Sequence, residues 1–332
     1  MSDGLSEALK GTYYAKKQNT PKGIVNLGYC CINTTLQSNG IFTSRTMRRK
    51  TFLAKGLEYV SELALQNVRD LKTIVQWNNE HNIKAFRLSS QIFPWMDDYE
   101  LSELKDYDEI CDIMLEVGKI ATDAGQRLTM HPGPYNCLAS PNPKVVAKTI
   151  RELDCHSEQM NMLGFKPSYY NKINIHVGGA YGDKESTLIR FCENFQLLRE
   201  DTKQRLVIEN DDSPNEFSVN ELFEGLHRII NIPITFDYFH HKFNTGGLTE
   251  EEALLVASLT WPKDITQCCH YSESRRKEKL DESIRPQAHS DIIYDEIKTY
   301  NLDLDIMIEA KLKEQAIFNY KTDSGQWRVK KS

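Results

Sequence analysis

Residues 172–198 read KINIHVGGAYGDKESTLIRFCENFQLL, and this stretch decides the fold. Positions 172–177 form a short β-rich run that finishes on an ionisable side chain, His176. After GGAYGD, apolar residues recur at helical spacing over 184–198. The same unit repeats along the chain. Strands are predicted at 24–30, 84–89, 127–131, 172–177, 205–209, 234–237, 265–270 and 305–309, each a near-continuous apolar run suited to burial on both faces. Helical patterns are predicted at 46–79, 107–123, 143–162, 184–198, 220–226, 249–259 and 289–300. Eight strands alternating with helices predict an α/β protein, a single-domain (β/α)8 TIM barrel.

The composition fits that architecture. The chain has 332 residues, 40% hydrophobic and 27% charged, within the range of a folded domain with a real core. No apolar run approaches the roughly 20 residues needed to cross a bilayer. The N-terminus, MSDGLSEALKGTYYAKKQN, is polar and lacks an apolar signal region. A non-secreted, intracellular protein is expected, in cytoplasm or nucleus. Eight cysteines show no framework spacing and no CxxC, so free thiols are expected rather than disulfides or a zinc knuckle. The net charge of −6 argues weakly against nonspecific nucleic-acid binding, although divalent cations would reverse the field locally. Two basic runs, Arg45/Arg48/Arg49/Lys50 and Arg275/Arg276/Lys277/Lys279, read as solvated helix faces.

The chemistry concentrates at the strand ends. His131, His176, Glu209, Asp237, His240, His270 and Glu309 each finish a predicted strand or follow it directly, and His289 comes after the seventh. Closing the barrel brings those ends to one face, where active sites of this fold lie. Taken singly, a histidine is more often a hydrogen-bonded core or loop residue, Glu209 could cap a helix, and Asp237 could pair with an arginine. Repetition at six strand ends favours a divalent-metal site of imidazoles and carboxylates, with one carboxylate able to bridge two ions. Asp-x-x-His spacing favours His240 over His241, which reads as a supporting neighbour. His81, His156 and His227 read as structural.

Taken in order, LGYCCIN (27–33), FRLSSQIFPW (86–95), HPGPY (131–135), IHVGG (175–179), IENDD (208–212), FDYFHH (236–241), HYSES (270–274), RPQAHSD (285–291) and MIEAK (307–311) resemble the UV damage endonucleases. Those enzymes are relatives of the endonuclease IV apurinic-site nucleases among the metal-dependent TIM barrels. The resemblance implies an enzyme that nicks damaged double-stranded DNA 5′ to cyclobutane dimers and 6-4 photoproducts, leaving a 3′-hydroxyl and a 5′-phosphate. It implies metal-hydroxide attack on the phosphodiester at two or three divalent ions, manganese foremost, with zinc or magnesium as alternatives. The implied ligands are His131, His176, Glu209, Asp237, His240, His270, His289 and Glu309, with Glu209 bridging and Glu209, His131 and His270 as the catalytic group. Tyr29, Asn33 and Tyr135 match residues that contact the lesion or its strand.

Three positions depart from the family pattern: Pro134 replaces a glutamine before the probing tyrosine, Asp97-Asp98 replace a histidine, and Cys268 replaces a lysine. All three fall on recognition or support, not on the ligands. A proline offers neither an amide side chain nor a backbone donor, so base-pair probing at Pro134 is expected to differ. Arg87 and Lys184 could balance phosphate charge, with a structural ion pair the favoured reading of Arg87. The resemblance places the endonuclease domain at 23–315, between a flexible extension at 1–22 and a tail at 316–332. A monomer without membrane association or an obligate protein partner is expected. Two other readings stay open: an apurinic-site endonuclease, and a two-metal sugar isomerase or epimerase. The second needs only about four ligands and is disfavoured by the surplus of histidines; a barrel that only binds nucleic acid would show broken ligands, and none is broken.

Overall fold

The computed structural model describes residues 25–320 and 329–330. The apolar runs form parallel strands: β1 Val25–Cys30, β2 Ala85–Arg87, β3 Arg127–Thr129, β4 Ile173–Ile175, β5 Leu206–Glu209, β6 Ile234–Thr235 and β7 Gln267–Tyr271. A short strand β8, Ile297–Lys298, precedes β9, Leu304–Ile308, and pairs with β10, Val329–Lys330, outside the main sheet. One sheet runs β3-β2-β1-β9-β7 and another β4-β5-β6. Parallel bridges Met130↔Ile173 and Asp237↔His270 join the two sheets at both seams. The Met130 N–H donates to Lys172 O and the His270 N–H to Phe236 O, each at 2.9 Å. The eight barrel strands therefore form a closed ring, the predicted TIM barrel. Every residue of β3, β4, β5, β7 and β9 is buried, because helices cover the outside of the barrel while side chains fill its interior.

Strand β1 approaches β2 so closely that a Cβ at Gly28 would lie 2.2 Å from Ala85 O; only glycine fits the LGY motif there. Helices Arg49–Glu80 and Tyr107–Asp123 pack together, the first burying Val60, Ala64, Val68, Leu71 and Val75 and the second Ile110, Met114, Val117 and Ala121. These are the i, i+3/i+4 stripes that made both helices legible.

The expected helix at 289–300 does not form. Glu273, 1% exposed, accepts the backbone N–H of Tyr294 at 2.7 Å and of Asp295 at 2.9 Å, and Ser290 N donates to Glu273 O at 2.7 Å. A buried carboxylate on a strand end has taken the donors a helix would need. Downstream, helix Glu314–Tyr320 buries Ala316, Ile317 and Tyr320, so packed structure runs past the expected boundary at 315. The expected extension at 1–22 and most of the tail lie outside the described residues. All eight cysteines are free, as expected.

At the barrel floor Arg127 is fully buried. It donates to Asp305 at 2.9 Å, to Thr266 O at 2.7 Å, and to the carbonyls of Tyr170 and Tyr169 at 2.6 and 3.0 Å. One side chain from the start of β3 thereby ties β9 and the entry to β7 across the barrel.

Candidate metal centre

Strand alternation delivers the site. On β4 and its flanks, positions 172, 174 and 176 share one side, and Glu209 ends β5 opposite them. Glu209 is 1% exposed. Its Oε2 lies 3.2 Å from His131 Nε2, 3.0 Å from His270 Nδ1 and 3.6 Å from His176 Nε2, and its Oε1 lies 3.4 Å from His240 Nδ1. Four imidazoles from four strand ends thus meet on one carboxylate, which also accepts from Asn174 Nδ2 at 2.5 Å. Donor atoms of His131, Glu209 and His270 lie within 4.8 Å of one another, as do those of His176, Glu209 and His240.

The other three expected ligands extend this cluster. Just beyond β9, Glu309 Oε1 is 3.4 Å from His270 Nδ1 and accepts from Arg87 at 2.5 Å, while its Oε2 is 3.7 Å from His289 Nδ1. Arg87 therefore makes the ion pair favoured for it. Asp237 caps helix Tyr238–His241, its Oδ1 accepting from the N–H groups of Phe239 and His240 at 2.7 and 2.8 Å. Its Oδ2 is buried without a hydrogen-bond partner. An unsatisfied buried carboxylate oxygen in such a cluster is what a cation would complete, since an unpaired polar group in the interior is costly.

Electrostatics sorts the imidazoles into two kinds. Burial opposes the charge on His176 and His240, but neighbouring carboxylates outweigh it and push the two pKa values up to about 10 and about 9. Burial dominates at His270, pushing it down to about 3, and it also lowers His131 and His289. Burial raises Asp237 to about 7, with Glu209 and Glu309 adding to the effect. Burial works against the charges of Glu209 and Glu309 too. The imidazoles of His270 and His176 hold Glu209 below the usual carboxylate range, and Arg87 does the same for Glu309. Glu209 and Glu309 are thus held ionised while Asp237 is not, and protons on His176 and His240 supply positive charge beside Glu209 that a bound cation would replace.

Three supporting residues went unread in the sequence. Asn174 steadies Glu209. Asp211 Oδ1 lies 2.7 Å from His176 Nδ1, on the far side of that ring from Glu209. Lys172, fully buried, reaches Thr235 Oγ1 at 2.7 Å, Asn174 Oδ1 at 3.0 Å and His270 Nε2 at 3.1 Å. Burial lowers the Lys172 pKa, and its Nζ fixes the orientation of the His270 ring from the Nε2 side. The available signal was period 2, because 172, 174 and 176 fall on one side of a strand.

The expected lesion contacts divide. Tyr29 is fully buried, its hydroxyl donating to Asn78 Oδ1 at 2.7 Å and accepting from Asn33 Nδ2 at 2.9 Å. Asn33 is 1% exposed, and its Oδ1 accepts from Leu36 N at 2.9 Å to cap helix Thr34–Gln37. Their polar atoms are engaged inside the protein, where they shape the loop after β1. Tyr135 is 88% exposed on a turn with Pro134. Asn136 pins that turn by donating to Gly133 O at 3.0 Å and Glu152 at 2.8 Å. Of the departures, Asp98 pairs with Arg49 and Asp97 with Lys148, and Cys268 is buried. Lys184 is held by Glu221 at 2.6 Å.

The histidines set aside behave structurally. His81 stacks on Trp77 at 3.8 Å, His227 lies 2.9 Å from Ile232 O, and His156 is buried against Met130. His241 packs on Phe236 rather than joining the cluster.

A family model described as "UV-endonuclease UvdE" matches residues 25–329. The chain is 39% identical over 303 residues to a Schizosaccharomyces pombe protein named "UV-damage endonuclease", covering 88% of this chain and 49% of that one; it spans about half the length of that relative. It is 31% identical over 300 residues to the Clostridium perfringens "UV DNA damage endonuclease", covering 87% and 68% of the two chains. The crystal structure of "SacUVDE" superposes with a TM-score of 0.75 at 30% identity, over 88% of this chain and 95% of that one.

Proposed function

The chain belongs to the UV-endonuclease UvdE family, and from that premise we propose that it nicks double-stranded DNA 5′ to ultraviolet photoproducts, using divalent cations held at the barrel mouth. The observation that carries the metal reading is Glu209, a buried carboxylate shared by two donor triads. His131, Glu209 and His270 would hold one ion and His176, Glu209 and His240 a second, with Asp237, His289 and Glu309 completing the shells. Manganese is the proposed ion. Bound there, such ions polarise the scissile phosphodiester and activate the attacking water.

The chain's own residues do the remaining work. Glu209 would fix the spacing of the two triads. Asp211 orients the His176 ring, and Lys172 orients the His270 ring. Arg87 keeps Glu309 ionised and supplies positive charge beside the phosphate. Tyr135, exposed on a pinned turn, is placed to stack against an unpaired base, with Pro134 shaping its approach.

The deciding experiment is a nicking assay with manganese. It uses duplexes carrying a cyclobutane dimer, a 6-4 photoproduct, an abasic site or no lesion. Cleavage of the two photoproducts is expected; cleavage of none by metal-loaded protein would sink the nuclease reading, and cleavage of the abasic site alone would shift it to the apurinic class. In the same assay Tyr135→Ala should lose roughly tenfold or more in discrimination between dimer and undamaged duplex, about 1–3 kcal/mol of stacking, with an unchanged melting temperature. Equal discrimination would remove Tyr135 from recognition.

Metal loading should also be linked to pH. His176 and His240, with pKa values near 10 and 9, are protonated at neutral pH and must lose their protons to bind an ion. Apparent affinity should therefore rise from pH 7 to pH 9, and loading at pH 7.5 should release about two protons. Calorimetry in buffers of different ionisation enthalpy counts them; a release of zero would overturn the assignment of protons to these two imidazoles.

A further inference from the structure

Beside the Glu309 end of the cluster lies a cavity of about 390 Å³ whose walls include Arg87, Arg285, His289, Glu309, Lys311 and Lys313. Four permanent cations thus face one carboxylate, and Arg87 already claims that carboxylate. Neighbouring basic residues are neutralised locally: Lys279 meets Asp291 at 2.8 Å, Lys277 meets Asp295 at 3.2 Å and Arg276 meets Glu282 at 3.0 Å. Among the described residues, no ion pair joins Arg285, Lys311 or Lys313 to a carboxylate.

The walls are fixed in place. The strand-end segment carrying Lys311 is zipped to the loop carrying Arg285 and His289: Lys311 N donates to Ser290 O at 2.9 Å and Leu312 N to Asp291 O at 3.1 Å. A preorganised pocket with unpaired cations fits an anion with several oxygens. In a chain of net charge −6, such a local excess of positive charge is what lets a polyanion approach. The cavity touches His289 and Glu309, so the anion it holds lies next to the reacting centre.

We propose that this cavity seats a non-scissile phosphate of the DNA backbone, fixing the register of the strand against the metal centre; this rests on the nuclease reading. Phosphate contacts of this kind position the duplex without reading sequence or damage. Lys311 and Lys313 would supply charge, and Arg285 directed hydrogen bonds.

The test is duplex binding by the full chain in EDTA at 50–250 mM KCl, using damaged and undamaged DNA. The paired variant Lys311→Ala with Lys313→Ala should weaken Kd about tenfold at 100 mM salt. It should also flatten the slope of log Kd against log salt by about 1–2, equally for both duplexes. Lys311→Arg with Lys313→Arg should restore the slope, and Lys119→Ala, an exposed cation paired with Asp123, should leave it unchanged. A wild-type slope in the paired alanine variant, or an equal effect from Lys119→Ala, overturns the proposal. If only damaged duplex loses affinity, the cavity is a lesion contact and the phosphate assignment fails. Nicking is scored separately: a wild-type protein that nicks no photoproduct refutes the nuclease reading, while the binding comparison still decides the cavity.

Discussion

Replacing Glu209 by Gln should abolish nicking, with a fall in kcat of at least about 10³, equivalent to roughly 4 kcal/mol. The substitution keeps shape and volume and removes one charge from the carboxylate on which four imidazoles converge. An amide oxygen is a poor bridge between two cations, so both proposed triads lose their shared ligand at once. No other single change in the cluster touches both. Metal content by atomic absorption should drop with activity, while circular dichroism stays that of the parent, because the Asn174 contact at 2.5 Å can persist to the amide oxygen. Activity within tenfold of the parent at full metal content would refute the bridging role.

Arg127→Met should cost about 3–5 kcal/mol of stability, the penalty for leaving one partner of a buried ion pair alone, and lower the melting temperature by on the order of 10 °C. Asp305 would then be buried opposite a thioether, its carboxylate left with only Asn26, which donates at 2.8 Å. The carbonyls of Thr266, Tyr169 and Tyr170 would lose a donor as well. Adding Asp305→Leu should recover part of the loss, since an apolar pair no longer strands a charge. A single variant that melts within 2 °C of the parent would show that the barrel floor does not depend on this pair.

Much of the centre was legible because barrel geometry converts linear order into convergence. An ionisable residue at the end of an apolar strand has few ways to be buried at low cost, and a ring of such ends offers a shared solution. That reasoning marked Glu209, His131, His176, His240 and His270 before any distance was known. It could not see Lys172 or Asp211, whose meaning depends on which ring atom they face. Nor could it see that Tyr29 and Asn33, singled out by motif alone, hydrogen-bond to each other and to Asn78 inside the protein. The helix expected at 289–300 failed for a similar reason, since Glu273 lies far along the chain from the donors it captures.

By itself the sequence determined the strand-helix alternation, the closed barrel it implies, the family and the residues that converge at the mouth. All of these follow from local periodicity and from the order of strand ends. Tertiary structure alone decided which imidazoles carry protons, which carboxylate is shared, that Tyr135 and not Tyr29 faces outward, and that three unpaired cations line one cavity. Those features depend on distances between side chains remote in sequence and on how burial weighs charge against charge, and neither quantity is encoded in any single stretch of the chain.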